Sequence, residues 1–344
     1  MSTPSTMTVP RFEGERRITF QNKPVPQPGA GQLLIHIQAC AICDDDLKLF
    51  NNGSEITPGQ QAAGIVAAAG PVTVTRVGTH GILYPVDYCG ECRSCMVGAT
   101  NLCLSKHEVM GSSTDGSFCP YVLIKESSFL PIEENLPFDE ASILNGIISA
   151  GGHALNQARM VRDDIESVLI AGAGPLALAA ISMVKILLGD SLPVVAIDPS
   201  LQRLHMAVTF GAMAFSSIPG MRLALGDGLE DGADIAFDTT GNGELQKACL
   251  KVLGKRGALI CMNGVDDLVI NTDRDLISPE HMVIGSNGFR LNELKSNIEI
   301  YQDKRETIVR TITHRFPAEM LTEAFEAYRS GETGAVVISN MDRN

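Results

Sequence analysis

The sequence predicts an α/β protein in which a β-rich domain is followed by a doubly wound parallel sheet. Between Ser167 and Gly285, short apolar runs that end in glycine or an acidic residue alternate with segments of helical periodicity. Residues 11–150 instead contain stretches with a period of two residues and frequent turn residues. The chain has 344 residues, 44% of them apolar, which is enough for two hydrophobic cores.

The β-rich domain begins with a run in which Leu33, Ile35 and Ile37 alternate with other residues, as in a half-buried strand. Gly64–Gly70 is a second candidate strand, closed by a glycine. From Phe138 to about Leu155, apolar residues at helical spacing lead into the parallel-sheet region.

The stretch from Ser167 to Asp198 has the pattern of a dinucleotide-binding unit. An apolar strand is followed at once by Gly172-Ala173-Gly174-Pro175-Leu176-Ala177, an apolar helix and a second strand that ends at Asp198. Gly172 permits the tight turn, and Gly174 lets the backbone approach a pyrophosphate. The helix N-terminus offers N–H groups to the phosphates. Ala177 occupies the last glycine position of the fingerprint, a substitution that the fingerprint allows.

The residue at the end of the second strand bears on the choice of cofactor. The Asp198 carboxylate can accept hydrogen bonds from ribose hydroxyls, and it would repel an adenosine 2′-phosphate. NAD(H) is therefore predicted rather than NADP(H), with Arg203 as a neighbour of the ribose or adenine.

The strand and helix alternation continues beyond this unit. Further short strands are predicted at Ile235–Asp238, Ala258–Cys261 and Met282–Gly285. After about Leu291 the tail carries an amphipathic helix, Pro317–Tyr328, and a last strand, Ala335–Ile338.

Charge and composition narrow the class of partner. A net charge of −13 and a pI near 5.0 argue against nucleic acid and anionic membrane surfaces as partners and favour a small soluble substrate. Met1–Pro10 lacks the features of a secretory signal, and no uncharged apolar run is as long as a membrane span. We therefore expect a cytoplasmic protein whose nine cysteines are thiols or metal ligands.

Four cysteines at short spacing predict a metal site. Cys89, Cys92 and Cys95 are followed after seven residues by Cys103. Four thiolates can surround one Zn²⁺ tetrahedrally, and such a site leaves no open position for chemistry, so one structural zinc is expected. Disulfides are the alternative, and a reducing compartment argues against them.

These features together resemble the zinc-containing medium-chain alcohol, polyol and threonine dehydrogenases. The cysteine lobe, the glycine turn, Phe237-Asp238-Thr239-Thr240-Gly241 and Ala335–Ile338 match that family in order and spacing, over nearly the whole chain. The resemblance implies a GroES-like catalytic domain, a Rossmann NAD-binding domain, an active site in the cleft, and a homodimer or homotetramer. It also implies hydride transfer between NAD(H) and an alcohol or carbonyl.

The implied domains are residues 1–151, the first part of the GroES-like domain with its zinc lobe at 89–103; 152–289, the Rossmann domain; and 290–344, the remainder of the catalytic domain. The implied cofactor-binding residues are Gly172, Gly174, Pro175, Leu176, Asp198, Arg203, Thr239 and Asn263.

The chain departs from the family where a catalytic zinc would bind. The family's first ligand survives as Cys43, in Cys43-Asp44-Asp45-Asp46, but its Gly-His-Glu reads Gly59-Gln60-Gln61. The third ligand falls close to Asn145. Because carboxamides are poor zinc ligands, we predict no catalytic zinc. The alternative is that Asp44 or Asp45 supplies a replacement carboxylate.

Without a metal, side chains must perform the chemistry, and we predict Asp45, Cys43, Gln60 and Asn145 as catalytic residues. The family's proton-passing hydroxyl falls on Asp45, which could act as general acid or base if partial burial raised its pKa toward neutrality. The N–H groups of the amides, including Gln61, could hold an oxyanion. Three consecutive aspartates are also typical of a solvated helix start.

The leading hypothesis is therefore an NAD(H)-dependent oxidoreductase acting on a small polar alcohol, carbonyl or related C=C or C=N group. Two alternatives remain: a zinc-dependent polyol or alcohol dehydrogenase with a rebuilt metal site, and a catalytically silent NAD-binding protein.

Overall fold

The computed structural model describes residues 3–225 and 231–342. Its strands, in chain order, are β1 (Thr6–Gly14), β2 (Arg17–Pro24), β3 (Gln32–Ala41), β4 (Gln61–Ala69), β5 (His80–Leu83), β6 (Tyr121–Lys125), β7 (Phe129–Pro131), β8 (Val168–Ala171), β9 (Val194–Ile197), β10 (Met213–Phe215), β11 (Ala233–Asp238), β12 (Leu253–Cys261), β13 (Met282–Gly285), β14 (Ile312–Pro317) and β15 (Ala335–Ser339). Its α-helices are α1 (Asp44–Asn52), α2 (Arg93–Met96), α3 (Phe138–Ile143), α4 (Ser149–Arg159), α5 (Pro175–Leu188), α6 (Leu201–Thr209), α7 (Ile218–Leu225), α8 (Gly243–Leu250), α9 (Leu291–Val309) and α10 (Leu321–Ser330).

The chain forms two compact units. Unit 1 contains the described residues up to Gly146, together with Arg290–Gln302 and those from Ile312 onward. Unit 2 contains the described residues of Ile147–Phe289 and Asp303–Thr311. Unit 1 is therefore built from segments on both sides of unit 2 in the sequence.

Unit 1 is organised around a seven-stranded sheet in the order β14-β15-β3-β4-β5-β7, with β6 also paired to β3. All of these pairs are antiparallel except β14 with β15. The alternation predicted around Leu33 lies in β3, where both faces are largely buried. The core on one face includes Phe12, Phe50 and Phe325, whose rings lie 4.9–6.3 Å apart between centroids.

Unit 2 contains a six-stranded parallel sheet in the order β10-β9-β8-β11-β12-β13. Two strand series run outward in opposite directions from the neighbouring strands β8 and β11, which makes this the doubly wound arrangement predicted from the sequence. Strands β8 and β9 are buried along their whole length because they are covered on both faces.

The predicted strands of unit 2 are confirmed, with small shifts at their ends except for the strand at Ala258–Cys261, which begins five residues earlier, at Leu253, in β12. The predicted strand at 282–285 is β13, and the predicted helix after the glycine turn is α5. Between α5 and the sheet, small residues such as Ala177 and Ala180 are fully buried, so the helix packs closely.

In four places the structure differs from the sequence-based expectation. The stretch predicted to be helical from Phe138 is interrupted at Asn145 (ψ 114°) and Gly146 (φ 106°), so α3 and α4 are separate. The helix predicted from Pro317 begins at Leu321, because Ala318–Met320 form a 3₁₀ turn first. The β1–β2 hairpin and α9 were not predicted.

Within residues 3–225 and 231–342, no helix is both long and apolar enough to cross a membrane.

Candidate functional site

The glycine turn of unit 2 has a conformation that its sequence requires. Gly172 follows β8 with φ +100°, and a Cβ atom there would lie 2.3 Å from Oγ1 of Thr239. Gly174 is the N-cap of α5, with Pro175 at its first position. A Cβ on Gly174 would meet only the Arg203 guanidinium, at 3.9 Å, so the space above this glycine is otherwise open. The turn thus leaves the N-terminus of α5 accessible to phosphate groups.

The four predicted cofactor positions that follow strands lie at one edge of the sheet. The pairings Ile197 with Ala171, Ala171 with Asp238, and Asp238 with Cys261 bring the ends of β9, β8, β11 and β12 into line. Gly172, Asp198, Thr239 and Asn263 each follow one of these strand ends by one or two residues. The structure therefore brings these residues to the carboxyl edge of the sheet, where open α/β sheets bind ligands.

Asp198 is buried and fixes the glycine turn. One carboxylate oxygen accepts the backbone N–H of Ala173 at 2.9 Å, and the other accepts that of Ser200 at 2.8 Å. Arg203 Nη1 lies 3.6 Å from Oδ2 of the same carboxylate. Arg203 therefore lies beside Asp198, and Asp198 fixes the turn in addition to its predicted contact with ribose.

Asp238 holds the turn after β11. It is buried, and its carboxylate accepts hydrogen bonds from the backbone N–H groups of Thr240 and Gly241 and from Nε2 of Gln246. Thr239 Oγ1 donates to the carbonyl of Ala171 at 2.8 Å, tying β11 to β8 beside the glycine turn.

The four predicted zinc ligands converge in unit 1. The Sγ atoms of Cys89, Cys92, Cys95 and Cys103 all lie within 4.8 Å of one another. The sulfur separations are 3.5 Å between Cys103 and Cys89, 3.9 Å between Cys92 and Cys103, and 4.0 Å between Cys89 and Cys95. A tetrahedral zinc with Zn–S distances of 2.3 Å requires sulfurs about 3.8 Å apart. The set fits one zinc ion, and all four cysteines are free of disulfide bonds.

Backbone N–H groups add to this fit. Cys92 N–H donates to Sγ of Cys89, and Leu104 N–H donates to Sγ of Cys92, at 3.3 and 3.4 Å. Such donors stabilise thiolates and so support metal ligation rather than apolar packing.

A second polar cluster of unit 1 forms around Cys43, the N-cap residue of α1. Asp46 Oδ2 accepts hydrogen bonds from the backbone N–H of Cys43 at 3.0 Å and from its thiol at 3.1 Å. The other oxygen of Asp46 accepts the N–H of Gly59 at 3.0 Å. Asp46 therefore connects the start of α1 to the segment that precedes β4.

Burial raises the pKa of Asp46 to about 6, despite the stabilising hydrogen bonds from Cys43 and Gly59. Desolvation, followed by the charge of Asp46, raises the pKa of the Cys43 thiol well above its usual value. Cys43 consequently acts as a hydrogen-bond donor in this arrangement.

Asp45 lacks the partial burial on which its predicted acid–base role depends. Its side chain is 63% exposed and pairs with Nζ of Lys48 at 2.8 Å, three residues along the same helix. Asp44 is also exposed, and its Oδ1 accepts the hydroxyl of Tyr328 at 2.9 Å. A helix begins at these aspartates, so the first two face solvent while the third, Asp46, turns inward to cap the helix. Asp46 was missed as a site residue, although its position three residues after Cys43 is the capping-box spacing.

The amides that replace the expected zinc ligands lie next to one another. Asn145 Nδ2 donates to the backbone carbonyl of Gln60 at 2.9 Å. A Cβ on Gly146 would lie 2.2 Å from Cδ of Gln61, so the Gln61 side chain packs directly against the Gly146 backbone. Asn145 is fully buried and Gln61 nearly so, whereas Gln60 is half-buried. The sequence alone does not distinguish Gln61, the first residue of β4, from Gln60, whereas the structure shows that Gln61 is the more deeply buried of the two.

The donor set around Cys43 does not fit a catalytic zinc. Among the residues that the structure describes, the four-cysteine set is the only group of three or more His, Cys, Asp or Glu side chains whose ligand atoms converge. The Cys43 thiol donates a hydrogen bond to Asp46, and the amide N–H of Asn145 donates one to the carbonyl of Gln60. Asp44 and Asp45 have other partners. Neutral amides are weak zinc ligands, so no step of the chemistry is assigned to zinc at this cluster.

The similarity to known proteins extends over the sequence of both units. The alcohol dehydrogenase GroES-like domain matches residues 29–134. L-threonine 3-dehydrogenase of Bacillus licheniformis is 27% identical over 341 residues, covering 94% of this chain and 96% of the relative. Sorbitol dehydrogenase of Bacillus subtilis is 28% identical over 280 residues, covering 76% of each chain.

A solved structure extends the likeness to the fold. An alcohol dehydrogenase from Escherichia coli CFT073, determined in complex with NADH, superposes with a TM-score of 0.87 at 19% identity. The match covers 98% of this chain and all of the other. Sequence relatives and the solved fold therefore agree over nearly the entire length.

Proposed function

We propose that the chain is an NAD(H)-dependent oxidoreductase of the medium-chain alcohol dehydrogenase family, acting on a small polar alcohol, carbonyl or related C=C or C=N group. The observation that carries the proposal is the turn that begins at Gly172. The φ angle of Gly172 and the proximity of Thr239 admit only glycine there, and the turn leads directly to the open N-terminus of α5. The names of the relatives, threonine and sorbitol dehydrogenases, support a small polar substrate.

The roles of the unit 2 residues follow from their positions. When bound, NAD(H) supplies or takes up the hydride. Gly174, Pro175 and Leu176 place the first turn of α5 so that its N–H groups can bind the pyrophosphate. Asp198 and Arg203 are placed to bind the ribose and adenine end. Thr239 and Asn263, at the ends of β11 and β12, flank the remaining part of the dinucleotide.

In unit 1, Cys89, Cys92, Cys95 and Cys103 hold one structural zinc, which when bound cross-links the lobe at residues 89–103. We propose that hydride transfer proceeds without a catalytic zinc, and the donor set around Cys43 supports this. The proposed catalytic contributions of Cys43, Gln60 and Asn145 are supported by two links: Asp46 connects Cys43 to Gly59, and Asn145 donates to Gln60, the residue after Gly59. Asp45, which is exposed, lacks the burial that its proposed acid–base role needs.

The proposal extends to the organisation of the protein. We infer that residues 1–151 and 290–344 form the catalytic domain and that residues 152–289 form the NAD-binding domain. We also infer that the protein is a homodimer or homotetramer and that it is cytoplasmic.

Zinc content per chain, measured on protein purified without added metal and on its Cys43→Ser variant, tests the zinc-free mechanism. We expect about one zinc per chain in both proteins. Two zincs per chain, falling to one in the variant, would instead establish the rebuilt dehydrogenase site.

Turnover tests the enzymatic assignment. NADH oxidation and NAD⁺ reduction over a panel of small polar ketones, alcohols and imines should reveal activity with at least one class. NADH binding together with inactivity over the whole panel would favour the alternative of a catalytically silent NAD-binding protein.

A further inference from the structure

Two hydrogen-bond acceptors in unit 1 are buried without a donor. Gln61 is 7% exposed and Asn145 is 0% exposed. No residue within 3–225 or 231–342 donates a hydrogen bond to Oε1 of Gln61 or to Oδ1 of Asn145. A buried amide oxygen without a donor is destabilising, so a pair of them in one place indicates that a ligand supplies the donor.

The backbone holds the two amides in place. Asn145 precedes Gly146 in the break between α3 and α4, and Gly146 packs against the Gln61 side chain. Asn145 Nδ2 donates a hydrogen bond to the carbonyl of Gln60, so this N–H group has a partner whereas the side-chain oxygen has none. The side chains of Gln61 and Asn145 therefore present two buried acceptor oxygens.

The polarity of the pair restricts what it can bind. Amide oxygens attract O–H and N–H groups and repel the oxygen of a carbonyl or an alkoxide, which are themselves acceptors. When a ketone is the substrate, its reacting oxygen cannot be held by these atoms. They must bind another group of the substrate, and that group must carry a proton.

We infer that Gln61 Oε1 and Asn145 Oδ1 form a recognition site for a hydrogen-bond donor, a hydroxyl or an ammonium group, that the substrate carries in addition to the group that exchanges hydride. The inference rests on the proposed oxidoreductase function and adds a substrate class to it: hydroxy- or amino-substituted ketones and the corresponding alcohols. Gln61 and Asn145 are then specificity-determining residues.

Three ketones of nearly equal size separate the possibilities. Hydroxyacetone, aminoacetone and butanone carry a hydroxyl, an ammonium and a methyl group at the same position. Their affinities are measured by calorimetry on protein saturated with NAD⁺, because an oxidised cofactor and a ketone cannot react. Turnover of the same three ketones with NADH is measured separately.

The test variant is Gln61→Met, which removes the acceptor and keeps the length of the side chain. Gln21→Met makes the same chemical change in β2 and serves as the matched control. We expect the wild-type protein and the control to bind hydroxyacetone about fivefold more tightly than butanone, or aminoacetone about thirtyfold more tightly. Gln61→Met should reduce either preference by at least about twofold, with Asn145 Oδ1 as the remaining acceptor. The larger of the two preferences identifies the donor as hydroxyl or ammonium.

A second variant guards against misfolding of the first. Gln61→Glu keeps an acceptor oxygen at the same position, so it should preserve the preference for hydroxyacetone and strengthen that for aminoacetone. Equal binding of all three ketones by the wild-type protein, binding of none of them, or an undiminished preference in folded Gln61→Met would overturn the inference. Absence of NADH turnover with every ketone, together with an intact binding preference, would refute hydride transfer but would still support the recognition site.

Discussion

At the scale of single residues, the turn at Gly172 gives the sharpest prediction. Replacing Gly172 by alanine forces a Cβ into a left-handed conformation, at a cost of about 1–2 kcal/mol, and into contact with Thr239 Oγ1. The turn must shift, and we expect the affinity for NADH to fall at least about tenfold, as measured by fluorescence titration.

Gly189→Ala is the matched control for this substitution. Gly189 has nearly the same φ, +109°, but no atom of the described residues lies within 4 Å of the position of its added Cβ. It should lose a similar amount of stability and keep its NADH affinity. Equal affinities in Gly172→Ala and the wild-type protein would show that the turn does not position the cofactor.

Asp46 provides a residue-scale prediction about pH. Because burial raises its pKa from 3.8 to about 6, the folded protein binds this proton more tightly than the unfolded chain does. The resulting stabilisation is complete below about pH 3.8 and is lost as the pH rises through about 6. Relative to Asp46→Asn, the free energy of unfolding of the wild-type protein should fall by about 2 kcal/mol between about pH 4 and pH 7.

Denaturant unfolding at several pH values measures this difference. Asp45→Asn removes an exposed carboxylate from the same helix turn and is the control. A constant difference between wild type and Asp46→Asn across the pH range would contradict the raised pKa of Asp46.

At the scale of elements, the lobe at residues 89–103 contains only the short helix α2 and one 3₁₀ turn, so the metal must supply much of its order. We expect Cys103→Ser to lose the zinc, from about one per chain to near zero by elemental analysis, and to lower the unfolding temperature. Cys249→Ser replaces a buried cysteine of α8 outside the lobe and should retain the zinc. Retained zinc in Cys103→Ser would rule out this cysteine as a ligand.

Elements stabilised by their own local pattern could be predicted from sequence. The strand, glycine turn and helix around Gly172 were predictable because burial on both faces leaves continuous apolar runs. The β1–β2 hairpin was not, because most of β2 is exposed and its polar residues carry no apolar alternation. The break at Gly146 was also hidden, because it depends on the packing of Gln61, a residue far away in sequence.

The site was predictable to a different extent in each unit. The cofactor residues follow strands, so their convergence at one sheet edge follows from the fold. The orientation of Asp45 and Asp46 depends on where α1 begins, and helix boundaries are set by capping interactions that the apolar pattern does not reveal.

At the scale of the whole molecule, a preference for NADH over NADPH should appear as a difference in the stability of the folded protein. A ligand that binds only the folded state raises the free energy of unfolding by about 2.7 kcal/mol at a concentration 100 times its dissociation constant. We expect NADH to raise the unfolding temperature of the whole chain more than equimolar NADPH, because Asp198 would repel a 2′-phosphate. An equal or larger shift with NADPH would show that Arg203 outweighs Asp198.

The position of β15 has a consequence for biosynthesis. β15 lies between β14 and β3, with Val337 opposite Ala41, so the sheet of unit 1 joins residues separated by nearly the whole chain. The six strands of the unit 2 sheet are all synthesised before β14 and β15. During translation, the parallel sheet can therefore assemble while β3 still presents an unpaired edge, and the chain is exposed to misassembly until its last strand has been made.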